Sequence, residues 1–293
     1  MKTEKLKPLS KLLTDFTYRN GYEISRVFDD FLQYIIWLHT MPEFGKPIKG
    51  WPYKPEESKE FYGMYQALLL ELQEHLKKHD WFDIFGYIYE DLIAGKSRRD
   101  SCGQFFTPPS LCDLMVEIST PKDSVVVGQN ISDCACGSGR NLLAFHAAHL
   151  GNYMVGEDID RTCAMMTVCN FILHGVKGEV IWHNTLIPDS FYGAWRINEN
   201  LNNPFRKYAG IPHCRSIEFE ETIIKHQNDT LTKAVEDKRI REKLESALER
   251  HTAMLKEVIL SKTPIREKRQ QAKLVTTKIQ NIRKLLRKYE EKN

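Results

Sequence analysis

The residues of this chain whose types and spacing could do chemistry lie in two short blocks. They are Gly103-Gln104-Phe105-Phe106-Thr107-Pro108 and Asp133-Cys134-Ala135-Cys136-Gly137-Ser138-Gly139. In the second block a carboxylate precedes two glycines spaced Gly-x-Gly, directly after a short apolar stretch and directly before an apolar helical pattern. Such a turn lets a nucleotide-like ligand approach the main chain at the start of a helix. Further on, Gly156-Glu157-Asp158-Ile159-Asp160 closes a second apolar run. A carboxylate there can accept hydrogen bonds from both hydroxyls of a ribose, and Asp160 suits the N-cap of the helix that follows. Two further polar strings are His183-Asn184-Thr185-Leu186, after a run that reads as a strand, and Asn202-Asn203-Pro204-Phe205, after a segment from Trp195 to Leu201 that alternates only weakly.

The elements that must position these blocks fall into three stretches. Residues 1–100 read as helical: Val27, Phe28, Phe31, Leu32, Ile35, Ile36 and Leu38 recur at helical spacing. A proline- and glycine-rich loop from Pro42 to Pro55 follows. A second helix spans Glu57 to Lys78 with Tyr62, Tyr65, Leu68, Leu69 and Leu72 inward, and a third runs from Trp81 to about Ala94. Residues 101–216 read as α/β. A helix starts after Thr107-Pro108-Pro109-Ser110 with Leu111, Leu114, Met115 and Ile118 as its apolar residues. Val125-Val126-Val127 and Asn130-Ile131-Ser132 give a first strand, Tyr153 to Gly156 a second, and Glu179 to Trp182 a third. Helices lie between them, and such alternation predicts parallel pairing in a doubly wound sheet. Nothing beyond Pro212 reads as a buried strand, which limits the sheet to about four. Residues 217–293 read as two long charged helices separated near Thr263-Pro264, a helical hairpin.

Hydrophobic content of 42%, charged content of 28% and a net charge of +3 are those of an ordinary globular protein, not a polycation. Basic residues concentrate between Lys262 and Asn293, opposed there only by Glu267, Glu290 and Glu291. That stripe fits either a solvated helix face or a surface that meets phosphates. No apolar run approaches the ~20 residues needed to cross a bilayer. The charged N-terminus has no apolar core behind it, so a cytoplasmic location without a membrane partner is expected. The seven cysteines include no Cys-x-x-Cys pair, and Cys134 and Cys136 are too close for a zinc knuckle. They read as reduced small hydrophobes, and no metal site is expected.

Taken together, the Gly-Gln-Phe-Phe-Thr-Pro block and the Asp-x-x-x-Gly-x-Gly turn resemble the adenine-N6 DNA methyltransferases. The likeness is greatest to the modification subunits of type I restriction-modification systems, and it extends over roughly residues 80 to 190. The segment Phe85 to Ile93 also looks like the helix that precedes the Phe-Thr-Pro block in those subunits. The resemblance implies a truncated, Rossmann-like sheet that binds S-adenosylmethionine, with a helical region before it and the helical hairpin after it. It assigns Phe105, Phe106, Thr107 and Pro108 to closing over the methionine end of the cofactor. The turn from Asp133 through Ala135, Gly137 and Gly139 takes the methionine part. Asp158, with Glu157 as the alternative, takes the ribose, and Asn184 the adenine ring. Family enzymes end a fourth strand with Asn-Pro-Pro and an aromatic residue, where two carbonyl oxygens accept the hydrogens of a flipped adenine's amine and the ring stacks on the base. The nearest string here is Asn202, Asn203, Pro204 and Phe205, with Asn203 in place of the first proline. The implied activity is methyl transfer to adenine N6 in DNA. The alternative is a catalytically silent, cofactor-binding relative acting in DNA binding or assembly. DNA is the implied partner, together with a specificity or other subunit held by the C-terminal helices.

Overall fold

A computed structural model describes residues 7–40, 48–93, 106–120, 124–187, 190–202, 209–260 and 265–290. The chain divides into two compact units, 1–222 and 223–293.

The first unit begins with three helices, α1 (Lys7–Asn20), α2 (Ile24–His39) and α3 (Pro55–Leu76). Val27, Phe28, Phe31, Leu32 and Ile35 of α2 lose all solvent contact, as their helical spacing requires. The buried face of α3 is Phe61, Met64, Leu68 and Leu72, one position out of phase with Tyr62 and Leu69, which are exposed. Phe61 sets that phase because its ring meets Phe16, Tyr34, Trp51 and Tyr53. Next comes α4 (Ile84–Ile88), which continues as a single π turn over Tyr89–Ile93.

The sheet then alternates with helices. In order they are α5 (Pro109–Ser119), β1 (Asn130–Asp133), α6 (Arg140–Ala148), β2 (Tyr153–Asp158), α7 (Arg161–Leu173) and β3 (Gly178–Trp182). β1, β2 and β3 pair in parallel, with Asp133 beside Gly156 and Asp158 beside Trp182. The strand order follows the sequence, so both crossovers step the same way. Right-handed crossovers then put α6 and α7 on one face. α6 packs on β1 and β2, α7 on β2 and β3, α5 along α6, and α2 along α7. Every residue of α7 from Cys163 to Ile172 is buried, since it lies between the sheet and the N-terminal helices. Its N-cap is Asp160, whose carboxylate accepts the Cys163 N–H at 2.9 Å, as expected from the sequence.

The sheet has five strands, not about four. β4 (Gly193–Ile197) and β5 (Cys214–Ile217) form an antiparallel pair added to the free side of β3. β5 corrects the expectation that no strand follows Pro212: only four residues long, it carries Arg215 and Ser216 between two buried ends. That pattern is too short and polar to register as a buried strand. The first strand is likewise confined to Asn130–Asp133, with Val125 and Val127 exposed before it.

Asn198 directly follows β4 and is the one described non-glycine residue with positive φ, 54°. Its amide Nδ2 donates to the carbonyls of Phe171 and Val176 at 3.0 Å each, and its Oδ1 accepts the His213 N–H at 3.0 Å. Asn198→Ala is therefore expected to cost about 2–4 kcal/mol by urea denaturation. It strands buried backbone groups and leaves an alanine in a left-handed conformation.

The second unit consists of α8 (Ile223–Leu260) and α9 (Ile265–Glu290), which pack against each other. Val275 and Ile279 of α9 are buried, while Lys273, Lys278, Arg283, Lys284 and Arg287 are exposed. No helix among the described residues is long and apolar enough to cross a membrane.

Candidate functional site

Parallel pairing carries Asp133, Asp158 and Asn184 to one end of the sheet, because each ends or follows a parallel strand at its carboxyl end. The turn after β1 adopts positive φ at Gly137 (57°) and Gly139 (85°), the second of which caps α6. A methyl group on Gly137 would stand 3.0 Å from the Phe106 ring, and one on Gly139 would stand 3.1 Å from Thr167. Both positions therefore require glycine for conformation and for space. Thr167 Oγ1 of α7 donates to the Gly137 carbonyl at 2.9 Å and closes the turn from below.

The two carboxylates grip this turn from different strands. Asp133 accepts the Ala135 N–H and the Asn141 amide, each at 3.2 Å. Asp158 accepts the Gly137 N–H and the Asp160 N–H, each at 2.8 Å. Burial pushes the Asp158 carboxyl above its ordinary value, and the two N–H donors pull it part of the way back. Each carboxylate oxygen keeps a lone pair for an incoming donor. Glu157, the alternative to Asp158, points to the other face of the sheet. There it accepts from Ser132 Oγ and lies 2.8 Å from His183 Nε2.

Asn184 is half-buried after β3. Its Oδ1 accepts the Leu186 N–H at 3.1 Å, and its own N–H donates to Ser190 Oγ. Phe106 is half-buried against Gly137 and Tyr89. The carbonyl of Thr107 accepts from Arg140 at 3.3 Å, and that of Pro108 accepts the Leu111 N–H at the start of α5. Phe105 lies outside the described residues.

Beneath the turn is a hub that reading the sequence missed. Asp83, with no solvent exposure, accepts from the Gly86 N–H (2.8 Å), Ser138 Oγ (2.6 Å), Arg140 Nε (2.6 Å) and Asn170 Nδ2 (2.7 Å). Arg140 also pairs with Glu90 at 3.0 Å, and its guanidinium lies over the Tyr87 and Phe106 rings. This network joins α4, the glycine turn, α6, α7 and the Phe106-Thr107 segment. One signal was readable: Arg140 opens a helix, where the macrodipole disfavours a cation, so it needs a carboxylate partner. Which carboxylate it would find was not readable.

The structure does not bring Asn202 to this end. β4 runs antiparallel to β3 and starts beside Trp182, so it finishes beside Gly178, at the amino end of the parallel strands. Asn202 is exposed in the turn that follows. Its neighbour Leu201 lies against Gly175 and accepts the Gly210 N–H. That is the opposite end of the sheet from Asp133 and Asp158, so Asn202 does not stand beside the cofactor turn. Asn203, Pro204 and Phe205 lie outside the described residues. Among the described residues no group of histidine, cysteine and carboxylate side chains could hold a metal ion, and the described cysteines are free thiols.

Residues 81–243, more than half of the chain, match the model of the N-6 DNA Methylase family. The chain is 33% identical over 115 residues to the type I restriction enzyme MpnII methylase subunit of Mycoplasma pneumoniae, covering 36% of this chain and 20% of that protein. It is 32% identical over 102 residues to the MjaVIII methylase subunit of Methanocaldococcus jannaschii, covering 33% of this chain and 17% of that one. The matches thus span about a fifth of the length of these curated relatives. A crystal structure of the type I restriction-modification system methyltransferase subunit from Streptococcus thermophilus aligns with 19% identity and a TM-score of 0.30. That alignment covers 58% of this chain and 37% of that one.

Proposed function

The chain belongs to the N-6 DNA methylase family, and on that premise we propose that it binds S-adenosylmethionine at the glycine turn and serves adenine-N6 methylation of DNA. The observation that carries the reading is the pair of carboxylates, Asp133 and Asp158, held at the carboxyl ends of adjacent parallel strands around a turn of two obligatory glycines. When bound, the cofactor supplies a methyl group activated on a sulfonium. Its polar groups suit the residues present. The ribose offers two hydroxyl donors to Asp158, and the methionine ammonium is a cation for Asp133. The backbone at Ala135, Gly137 and Gly139 leaves room for close approach, and Asn184 can hydrogen-bond the edge of an adenine. Phe106, Thr107 and Pro108 wall the methionine side, with Phe105 preceding them.

An adenine amine needs two oxygen acceptors beside the methyl group, and Asn202 lies at the far end of the sheet. A second reading is a catalytically silent, cofactor-binding relative acting in DNA binding or assembly, and the antiparallel direction of β4 is the observation that speaks for it. DNA and a specificity or other subunit remain the partners proposed for it, with the exposed basic side chains of α9 suited to phosphates.

Labelled methyl transfer to adenine-containing duplex DNA, with calorimetric titration of S-adenosylmethionine in parallel, separates these readings. Binding with transfer supports the first, and binding without transfer under any DNA condition supports the second. No binding removes both. Asn202→Ala is expected to leave affinity, stability and any transfer unchanged. A folded variant that binds cofactor but loses transfer would restore Asn202 to the acceptor role.

A further inference from the structure

The two carboxylates at the glycine turn are held by different means. Both donors on Asp158 are backbone N–H groups, at 2.8 Å each. On Asp133 one donor is backbone, the Ala135 N–H to Oδ1, and the other is a side chain, the Asn141 amide to Oδ2, each at 3.2 Å. The last torsion of an aspartate is soft, so its carboxylate plane is fixed only by what bonds the two oxygens. Asp133 is half-buried, with Cys134 and Ala135 exposed beside it. Its orientation therefore depends on a replaceable side chain, whereas that of Asp158 does not.

Asn141 is the second residue of α6, which packs on β1 and β2. Its Nδ2 reaches back to Asp133, and its Oδ1 is buried without a hydrogen-bond partner among the described residues. Turning the amide over would set oxygen against carboxylate oxygen. An unpaired buried amide oxygen destabilises a fold, and an apolar side chain of similar size would avoid that penalty. Asn141 thus serves stability poorly and Asp133 well, the pattern of a residue kept for function. Both donors on Asp133 are also neutral. Arg140, next along the chain, is engaged by Asp83 and Glu90 instead. The amide orients the carboxylate and leaves its negative charge for a cation to meet.

Resting on the cofactor reading above, we propose that Asn141 is a positioning residue for the amino-acid end of the ligand. Acting through Asp133, it makes the site prefer nucleosides that carry an ammonium group over those that lack one. It keeps the carboxylate in one orientation, which an ammonium can engage through charge-assisted hydrogen bonds. The ribose and adenine contacts proposed for Asp158 and Asn184 do not pass through it.

Calorimetric titration of the full chain tests this with two ligands, S-adenosylmethionine and methylthioadenosine, which keeps adenine, ribose and sulfur but lacks the amino-acid group. Asn141→Leu is expected to weaken S-adenosylmethionine on the order of tenfold and to leave methylthioadenosine unchanged, with no loss of stability in urea. A folded variant that keeps full affinity for S-adenosylmethionine overturns the proposal. So does equal weakening of both ligands, which marks a distorted turn. Asn141→Ala removes the same donor without adding bulk, and it decides the ligand preference if the leucine variant fails to fold. An unaltered chain that binds neither ligand removes the cofactor reading itself. One that binds both, with a preference that survives the substitution, removes this inference alone.

Discussion

Asp83→Ala is expected to destabilise the first unit by about 3–5 kcal/mol, the cost of leaving a buried guanidinium without its carboxylate. The Asp83–Arg140 pair has side-chain exposures of 0 and 4%, so solvent cannot replace the lost partner. The Gly86 N–H, Ser138 hydroxyl and Asn170 amide lose their acceptor as well. Urea denaturation measures the loss, and calorimetry on the surviving folded fraction measures cofactor affinity. Affinity should fall too, because Ser138 and Arg140 flank Gly139 and hold the turn in place. Gly86→Ala attacks the same hub without removing any charge. Its new methyl would lie 1.9 Å from Asp83 Oδ2 and 2.8 Å from Ser138 Oγ. A Gly86→Ala protein as stable as the parent would show that Asp83 can move aside and that the hub is not rigid. Replacing both partners, Asp83→Leu with Arg140→Met, should recover part of the loss, since paired apolar groups avoid the stranded charge.

The second large effect is on binding. Asp158→Ala removes the carboxylate proposed for the ribose and frees the Gly137 N–H that it orients. Charge-assisted hydrogen bonds contribute about 1.5–3 kcal/mol each, so affinity for S-adenosylmethionine should drop by roughly 100-fold or more. Unchanged affinity in a folded Asp158→Ala protein would remove the ribose assignment. The pH dependence has a definite sign. Burial raises the Asp158 carboxyl, so on acidification it protonates before an ordinary aspartate would and loses acceptor capacity. Affinity should therefore be full near neutrality and decline as pH falls, from a pH above the usual aspartate range. The variant should lack that decline.

Local signals in the chain were enough to locate much of this. Gly-x-Gly after a short strand, Asp160 ahead of α7 and the periodic apolar face of α2 each depend on neighbours within a turn or two, so they could be read directly. The phase of α3 and the inward face of α5 could not, because a mostly apolar helix offers more than one stripe and only its packing partner selects among them. For α5 the packing chose Cys112 and Val116 and left the larger residues outside.

The alternation of strands and helices, the place of the glycine turn and the carboxylates that end the first two strands were legible in the chain before any packing was known. Those features follow from backbone conformation and side-chain period, which are local. Tertiary structure alone decided that Asp83 would meet Arg140, 57 positions away, because a buried charge takes whichever partner the packed fold delivers. It alone decided the direction of β4 as well. A five-residue strand carries no local signal for its direction, and the buried Asn198 that follows it is held by Phe171 of α7 and by His213, just ahead of β5. That reversal sends Asn202 to the amino end of the sheet, and the place of β4 beside β3 leaves the outer edge of β1 without a neighbour among the described residues.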